Sequence, residues 1–129
     1  MRCHILKRNR RKITVGGKQY VWWYGIGAGL CTATVSPFED KTSKVRVAFK
    51  DTTCDCGGCG FAFPLYVELE KEQERRRLKL IEPGTAALLT MYLSKRGLFK
   101  TRKEVILHGY ALLADMGYHI IQIENGVDF

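Results

Sequence analysis

The sequence lacks the features by which most enzymes and membrane proteins are recognised. No apolar run approaches the roughly 20 residues of a membrane span, and the opening segment MRCHILKRNRRK has no apolar stretch or cleavage site typical of a secretory signal. The three histidines stand in unrelated contexts, and no serine lies in a nucleophile-elbow motif. These absences predict a cytoplasmic, non-enzymatic protein without a membrane partner.

Acidic residues are scarce, and they are absent from the first 18 residues. The 129-residue chain has 21 Lys and Arg against 13 Asp and Glu, a formal net charge of +8. Such a surplus favours a polyanionic partner. The basic N-terminal segment therefore predicts nucleic-acid (DNA) binding, in which Trp22 or Trp23, if exposed, would stack on bases. The candidate phosphate contacts of this segment are Arg8, Arg10, Arg11 and Lys12.

The same positive charge fits a second function class. An adaptor, inhibitor or immunity-type module could present this basic surface to an acidic protein partner. Charge alone does not separate this alternative from nucleic-acid binding, because both partners are anionic. The sequence therefore supports both nucleic-acid binding and binding to an acidic protein.

The length fits a single domain covering residues 1–129, and the first half reads as β structure. The alternating runs RKITV and KQYVWWY flank Gly16 and Gly17, which predicts a hairpin with strands near 11–15 and 18–24. LCTATVS, SKVRVAF and GFAFPLYVEL extend it to an antiparallel meander of about five strands, so residues 1–67 should be mainly β. The charged stretch EKEQERRR predicts an exposed helix or a solvated linker.

The second half predicts helices, so that residues 78–129 should be mainly helical. LKLI indicates a short strand, and EPGTAALLTMYLSKRG has the Pro opening and the closing Gly97 of a helix. TRKEVILHGYALLADMG opens with Thr101 and Glu104 at capping-box spacing and closes at Gly117, which predicts a second helix. YHIIQI predicts a last strand. The expected fold class is α+β: a meander, then a strand and two helices, packed as one domain.

Residues 76–113, RRLKLIEPGTAALLTMYLSKRGLFKTRKEVILHGYALL, resemble a ribbon-helix-helix DNA-binding domain. In that family a basic strand precedes two helices joined by a glycine turn. The resemblance implies a homodimer whose paired strands enter the DNA major groove. Ile81 and Gly109 depart from the family pattern. The residues that the resemblance assigns to bases are Arg77 and Lys79, and those it assigns to a phosphate are Thr101, Arg102 and Lys103.

Two other interpretations of the chain imply no DNA contact. A strand and two amphipathic helices packed on the N-terminal sheet would show the same pattern of apolar residues. The opening hairpin KRNRRKITVGGKQYVWWY is also similar to the start of a group of small uncharacterised bacterial proteins. That similarity implies one integrated α+β domain and no particular function.

The cysteines cluster in TCDCGGCG, residues 53–60. A C-x-x-C pair followed by glycine is typical of a metal knuckle, because glycine tolerates the dihedral angles of the turn. No second pair completes the site, so one structural zinc would need a fourth ligand beside Cys54, Cys56 and Cys59. Cys31, on a neighbouring predicted strand, is the first candidate, followed by Cys3 or His4 of the basic N-terminal segment. The alternatives are a glycine turn with free thiols and no cofactor, or a redox pair. A redox pair needs a helix after the motif, whereas GFAFPL predicts a strand.

Overall fold

The computed structural model describes residues 10–27, 30–40, 42–50 and 62–127. This part of the chain forms eight strands and two α-helices, which confirms the predicted α+β class. No helix within it is long and apolar enough to cross a membrane. The strands are β1 (Arg11–Val15), β2 (Lys18–Gly27), β3 (Leu30–Pro37), β4 (Val45–Lys50), β5 (Ala62–Lys71), β6 (Glu74–Lys79), β7 (Val105–His108) and β8 (His119–Val127). The helices are α1 (Pro83–Lys95), α2 (Gly109–Asp115) and a short 3-10 turn at Leu98–Lys100.

A five-stranded sheet has the order β1-β2-β3-β4-β7. Its first four strands form the predicted antiparallel meander. The predicted opening hairpin is confirmed: Gly16 and Gly17 adopt φ values of 60° and 80°, and Val15 pairs with Lys18 across the turn. β7 joins the other edge in parallel with β4. A parallel pair needs a long crossover, which here carries β5, β6 and α1.

The second sheet has three strands in the order β6-β5-β8. Its central strand, β5, comes from the segment predicted as the fifth strand of the meander. The helix or linker predicted for EKEQERRR is wrong, because β5 continues to Lys71 and turns back through Glu72 and Gln73, with φ values of 54° and 70°. Opposite charges then face each other across the hairpin, as in the pair Glu70–Arg75. Such cross-strand pairs stabilise the extended form of this charged segment.

The second helix predicted from Thr101 to Gly117 is wrong in its first half. Residues 105–108 form β7, and the backbone N–H of Val105 donates a hydrogen bond to the carbonyl oxygen of Lys44 at 2.9 Å. Only Gly109–Asp115 is α-helical, and Gly117 follows it with a φ of 97°, the expected glycine stop. Pairing with β4 suits the β-branched start of β7 and overrides the local capping-box signal.

A single hydrophobic core joins the two sheets and both helices. β5 contacts β2, β3 and β4, while α1 contacts β1 and β3 and α2 contacts β4 and β8. Tyr20 links the meander to the helical part, since its hydroxyl donates to Ser94 Oγ at 3.4 Å and its ring centroid lies 5.0 Å from that of Phe99. These contacts cover one face of the five-stranded sheet, which we call the inner face. The opposite, outer face carries the site described next.

Candidate nucleic-acid interface

Strand alternation decides which side chains reach the outer face. Along β2, Tyr20 and Trp22 enter the core and are 2% and 1% exposed, so Val21 and Trp23 lie on the outer face. The hairpin register places Lys12 of β1 opposite Val21, and Ser36 of β3 lies opposite Val21 on the other side. Directly opposed residues share a face of a sheet. The register therefore brings a basic residue of the N-terminal segment onto the outer face.

A cavity of about 310 Å³ opens on this outer face. We call it the basic cleft. Val21 and Ser36 are buried and belong to its floor. The lining cations come from the edge strand β1 and the residue before it, and from the residue that precedes β4. Half of the lining residues are basic, and none of those in the described part of the chain is acidic. The lining residues are Arg10, Arg11, Lys12, Val21, Trp23, Ser36, Phe38 and Lys44.

Two cations of the basic cleft lie over aromatic rings. The guanidinium carbon of Arg10 is 4.4 Å from the ring centroid of Trp23, and Lys12 Nζ is 4.6 Å from that of Phe38. Arg11 differs from them, because it is paired with Trp22 and its guanidinium lies 6.0 Å from that ring, on the side of the inner face. Cation–π attraction of this kind holds flexible basic side chains close to the protein surface. The positive charge is therefore concentrated at the cleft.

The tryptophans do not provide the exposed aromatic surface that the sequence analysis considered. Trp22 is 1% exposed, and Trp23 is 9% exposed beneath Arg10. Phe38, just after β3, is instead 37% exposed and lines the basic cleft. Phe38 was not among the residues that the sequence predicted for this site. A large aromatic residue immediately before a polar turn was the signal that could have identified Phe38.

A second cavity, which we call the loop cavity, lies beside the basic cleft and has a volume of about 660 Å³. It is bounded by the tip of the β1–β2 hairpin, the loop after β3 and the 3-10 turn. Phe38 lines both cavities, so they meet at this side chain. The loop cavity mixes both charges, and its lining residues are Thr14, Gly17, Lys18, Gln19, Pro37, Phe38, Glu39, Asp40, Phe99, Lys100 and Arg102.

Asp40 organises the loop after β3. Its carboxylate accepts hydrogen bonds from the hydroxyl and the backbone N–H of Thr42, the latter at 3.1 Å, and from the hydroxyl of Ser43 at 3.0 Å. The bonds from Thr42 and then Ser43, with a smaller effect of the Arg102 charge, lower the pKa of Asp40. Ser43 Oγ also accepts the backbone N–H of Arg102 at 2.9 Å. The network therefore joins this loop to the segment that precedes β7.

The structure does not place Thr101, Arg102 and Lys103 at a helix N-terminus, because a strand follows them. Their assignment to a phosphate stays a prediction of the resemblance. Arg102 has a φ of 55°, and Thr101 Oγ1 donates within its own turn, at 3.3 Å to the carbonyl of Lys103 and 3.4 Å to that of Leu98. The strand β7 follows at Val105. Of the three predicted residues, Arg102 lines the loop cavity.

Arg77 and Lys79 lie on the other sheet, in β6, and are not among the residues that line either cavity. Arg77 forms an ion pair with Glu124 of β8, with 2.6 Å between the closest N and O atoms. The guanidinium of Arg77 also lies 4.0 Å from the ring centroid of Tyr66, and Lys79 Nζ lies 6.0 Å from it. Because Glu124 compensates its charge, Arg77 is less available to a phosphate than the cations of the basic cleft.

Cys31 is a core residue of β3. It is 0% exposed and lies between Ile26 and Phe49 in the register of the sheet. Burial raises the pKa of its thiol to about 12, so the thiol is protonated at neutral pH. Among the described residues no group of three or more His, Cys, Asp or Glu side chains is arranged to hold a metal ion. The other proposed zinc ligands, Cys54, Cys56, Cys59, Cys3 and His4, lie outside the described residues, as does Arg8.

Comparisons of the chain with protein-family models, curated proteins and solved structures give no match. A function must therefore be inferred from the arrangement of side chains. The described residues bring together Arg10, Arg11 and Lys12 from the sequence prediction, and they add Lys44 and Phe38.

Proposed function

We propose that the protein binds nucleic acid through the basic cleft. The sequence predicts DNA as this nucleic acid. The observation that supports this proposal is the convergence of Arg10, Lys12 and Lys44 on one cavity beside Phe38, which is 37% exposed. Lys and Arg side chains that neutralise phosphates release condensed counterions, which drives association. An adjacent aromatic ring adds a stacking surface for a base.

The cations are placed to hold one sugar-phosphate backbone from two sides. Lys12 belongs to the edge strand β1, whereas Lys44 immediately precedes β4, three strand positions away. At about 4.8 Å per strand, this separation is roughly 14 Å across the sheet. The long side chains of the two lysines can reach toward each other from these positions over the apolar floor at Val21.

The basic cleft supports this proposal better than the ribbon of the ribbon-helix-helix resemblance. Within the described residues β6 is an edge strand, so a second copy could in principle pair with it. Antiparallel self-pairing would bring the run Arg75–Arg77 of one copy against the same run of the other. Like charges placed opposite each other destabilise a strand pair. The homodimer therefore remains a prediction of the resemblance and is not part of the proposed mode of binding.

The proposal can be tested with fluorescence anisotropy of a labelled 20-base-pair DNA duplex and a labelled 20-nucleotide strand. If Arg10, Lys12 and Lys44 each contact a phosphate, affinity should fall roughly 20- to 40-fold between 50 and 200 mM salt. The variant Lys12→Gln/Lys44→Gln should bind at least tenfold more weakly at 50 mM salt. Its salt slope should also decrease by about 1.4 to 1.8.

A matched control separates the effect of the cleft cations on affinity from the effect of net charge. Arg75→Gln/Lys95→Gln removes two exposed cations elsewhere, so both double variants carry +6 instead of +8. The control should lose much less affinity than the cleft variant. Equal losses in the two variants would contradict a localised site. Absence of any binding at 50 mM salt would contradict nucleic-acid binding and favour the acidic protein partner as ligand of the same surface.

A further inference from the structure

We infer, on the basis of the proposed function, that the ligand is single-stranded nucleic acid that passes from the basic cleft over Phe38 into the loop cavity. The first supporting observation is the position of Phe38, which lines both cavities and is 37% exposed. A base must leave a duplex stack before it can lie on an aromatic side chain. An exposed ring between two cavities therefore fits an unpaired strand better than a duplex.

Cavity size also favours a single strand. The basic cleft has a volume of about 310 Å³, at the small end of the range of small-molecule pockets. A cavity of this size can enclose one nucleotide unit of an unpaired strand, whereas a nucleotide in a duplex keeps its base inside the stack. Lys12 Nζ lies 4.6 Å from the Phe38 ring centroid, so it can meet the phosphate of the nucleotide whose base contacts the ring. Phosphate and base contacts thus fall within one nucleotide.

The loop cavity continues this path. Lys18, Lys100 and Arg102 line it and can take the next phosphates, while the carboxylate of Glu39 and the amide of Gln19 can bond the edge of an unpaired base. Watson–Crick edges are available to protein only in an unpaired strand. Asp40 is already bonded to Thr42 and Ser43 and serves to fix the loop that carries these groups.

The decisive measurement compares labelled dT20, rU20 and a 20-base-pair duplex in the anisotropy assay at 50 to 200 mM salt. We expect dT20, rU20 or both to bind at least tenfold more tightly than the duplex. A preference between them identifies DNA or RNA as the ligand. Lys100→Gln/Arg102→Gln should lower the single-strand salt slope by about 1.4, since two phosphate contacts would be lost.

Substitutions at Phe38 can separate the effect of its ring on affinity from effects of charge and of folding. Phe38→Leu should weaken single-strand binding by about 5- to 150-fold without changing the salt slope, and Phe38→Tyr should restore affinity, because stacking needs a ring and releases no counterion. Tyr66→Leu is the matched control, since Tyr66 also lies beneath a cation, Arg77, but in the other sheet. It should bind as the unchanged protein does.

The outcomes distinguish this inference from the proposed function. Duplex binding as tight as that of both single strands, together with full affinity of Phe38→Leu, would overturn the single-strand path and leave nucleic-acid binding in place. If none of the three probes binds at 50 mM salt, both are overturned. Unchanged far-ultraviolet circular dichroism of Phe38→Leu and Phe38→Tyr ensures that their affinities report on the folded protein.

Discussion

Gly109→Ala should destabilise the protein, although alanine is ordinarily the better helix residue. Gly109 is the buried first residue of α2, and a Cβ added there would lie 2.3 Å from both Cδ1 and Cε1 of Phe49. Phe49 is 0% exposed, and its ring packs edge-on against Tyr110 with centroids 5.4 Å apart. The ring therefore cannot move aside without disturbing the core between β4 and α2.

The expected magnitude follows from two opposing effects. Overpacking of a filled core costs about 1 to 3 kcal/mol, whereas alanine gains up to about 1 kcal/mol over glycine in a helix. The net loss should be about 1 to 2 kcal/mol, or a decrease in Tm of about 4 to 7 °C for a domain of this size. Thermal and urea unfolding followed by circular dichroism would measure both quantities.

Two comparisons make this prediction specific. Gly84→Ala, near the start of α1, meets no atom within 4 Å and should be neutral or slightly stabilising. Phe49→Val removes the Cδ1 and Cε1 atoms that lie nearest the new methyl group, so Gly109→Ala should cost less in that background. If Gly109→Ala is as stable as the unchanged protein, or equally harmful in both backgrounds, the packing argument is wrong.

Two further predictions concern titratable groups. Because its hydrogen bonds lower the pKa of Asp40, this carboxylate stabilises the fold above its unfolded-state pKa of about 3.9. This contribution is lost as the pH falls. The difference in unfolding free energy between the unchanged protein and Asp40→Asn, measured by urea titration, should therefore decrease from about pH 5 to about pH 3. A difference that stays constant with pH would contradict this prediction. Cys31, with its pKa raised to about 12, should resist alkylation at pH 8 in the native protein and react in urea, as peptide mass mapping would show. Rapid native modification would contradict its burial.

Local signals in the sequence predicted the elements whose partners are near in the chain. Two consecutive glycines between alternating strands sufficed for the β1–β2 hairpin, and Pro83 and Gly97 marked the limits of α1. β7 could not be found in this way. Its partner β4 lies 60 residues earlier, with Val45 paired to Val105, and no local pattern encodes that pairing. A valid capping-box spacing at Thr101 was therefore outweighed by a contact distant in sequence.

The candidate site was likewise predictable only where it depends on residues that are near each other in the chain. The basic N-terminal run indicated Arg10 and Lys12, which line the basic cleft, and the hairpin register alone carries Lys12 to the outer face. Lys44 joins them through the pairing of β3 with β4, which the sequence predicted only as an order of strands. The compensation of the Arg77 charge was not visible in the sequence, because its ion-pair partner, Glu124, comes from a strand nearly 50 residues later. Charge can be counted in a sequence, but its compensation depends on the fold.

The cations of the basic cleft are not equivalent, because some of them also cover apolar surface. The guanidinium group of Arg10 lies over the ring of Trp23 and helps to cover it on the outer face. Replacing Arg10 would therefore change the packing of Trp23 together with the local charge. Lys44 has no ring contact among those found for the described residues, and its side chain enters the cleft from the start of β4. A loss of affinity in Lys44→Gln would report on phosphate contact, whereas the same loss in an Arg10 variant would combine two effects.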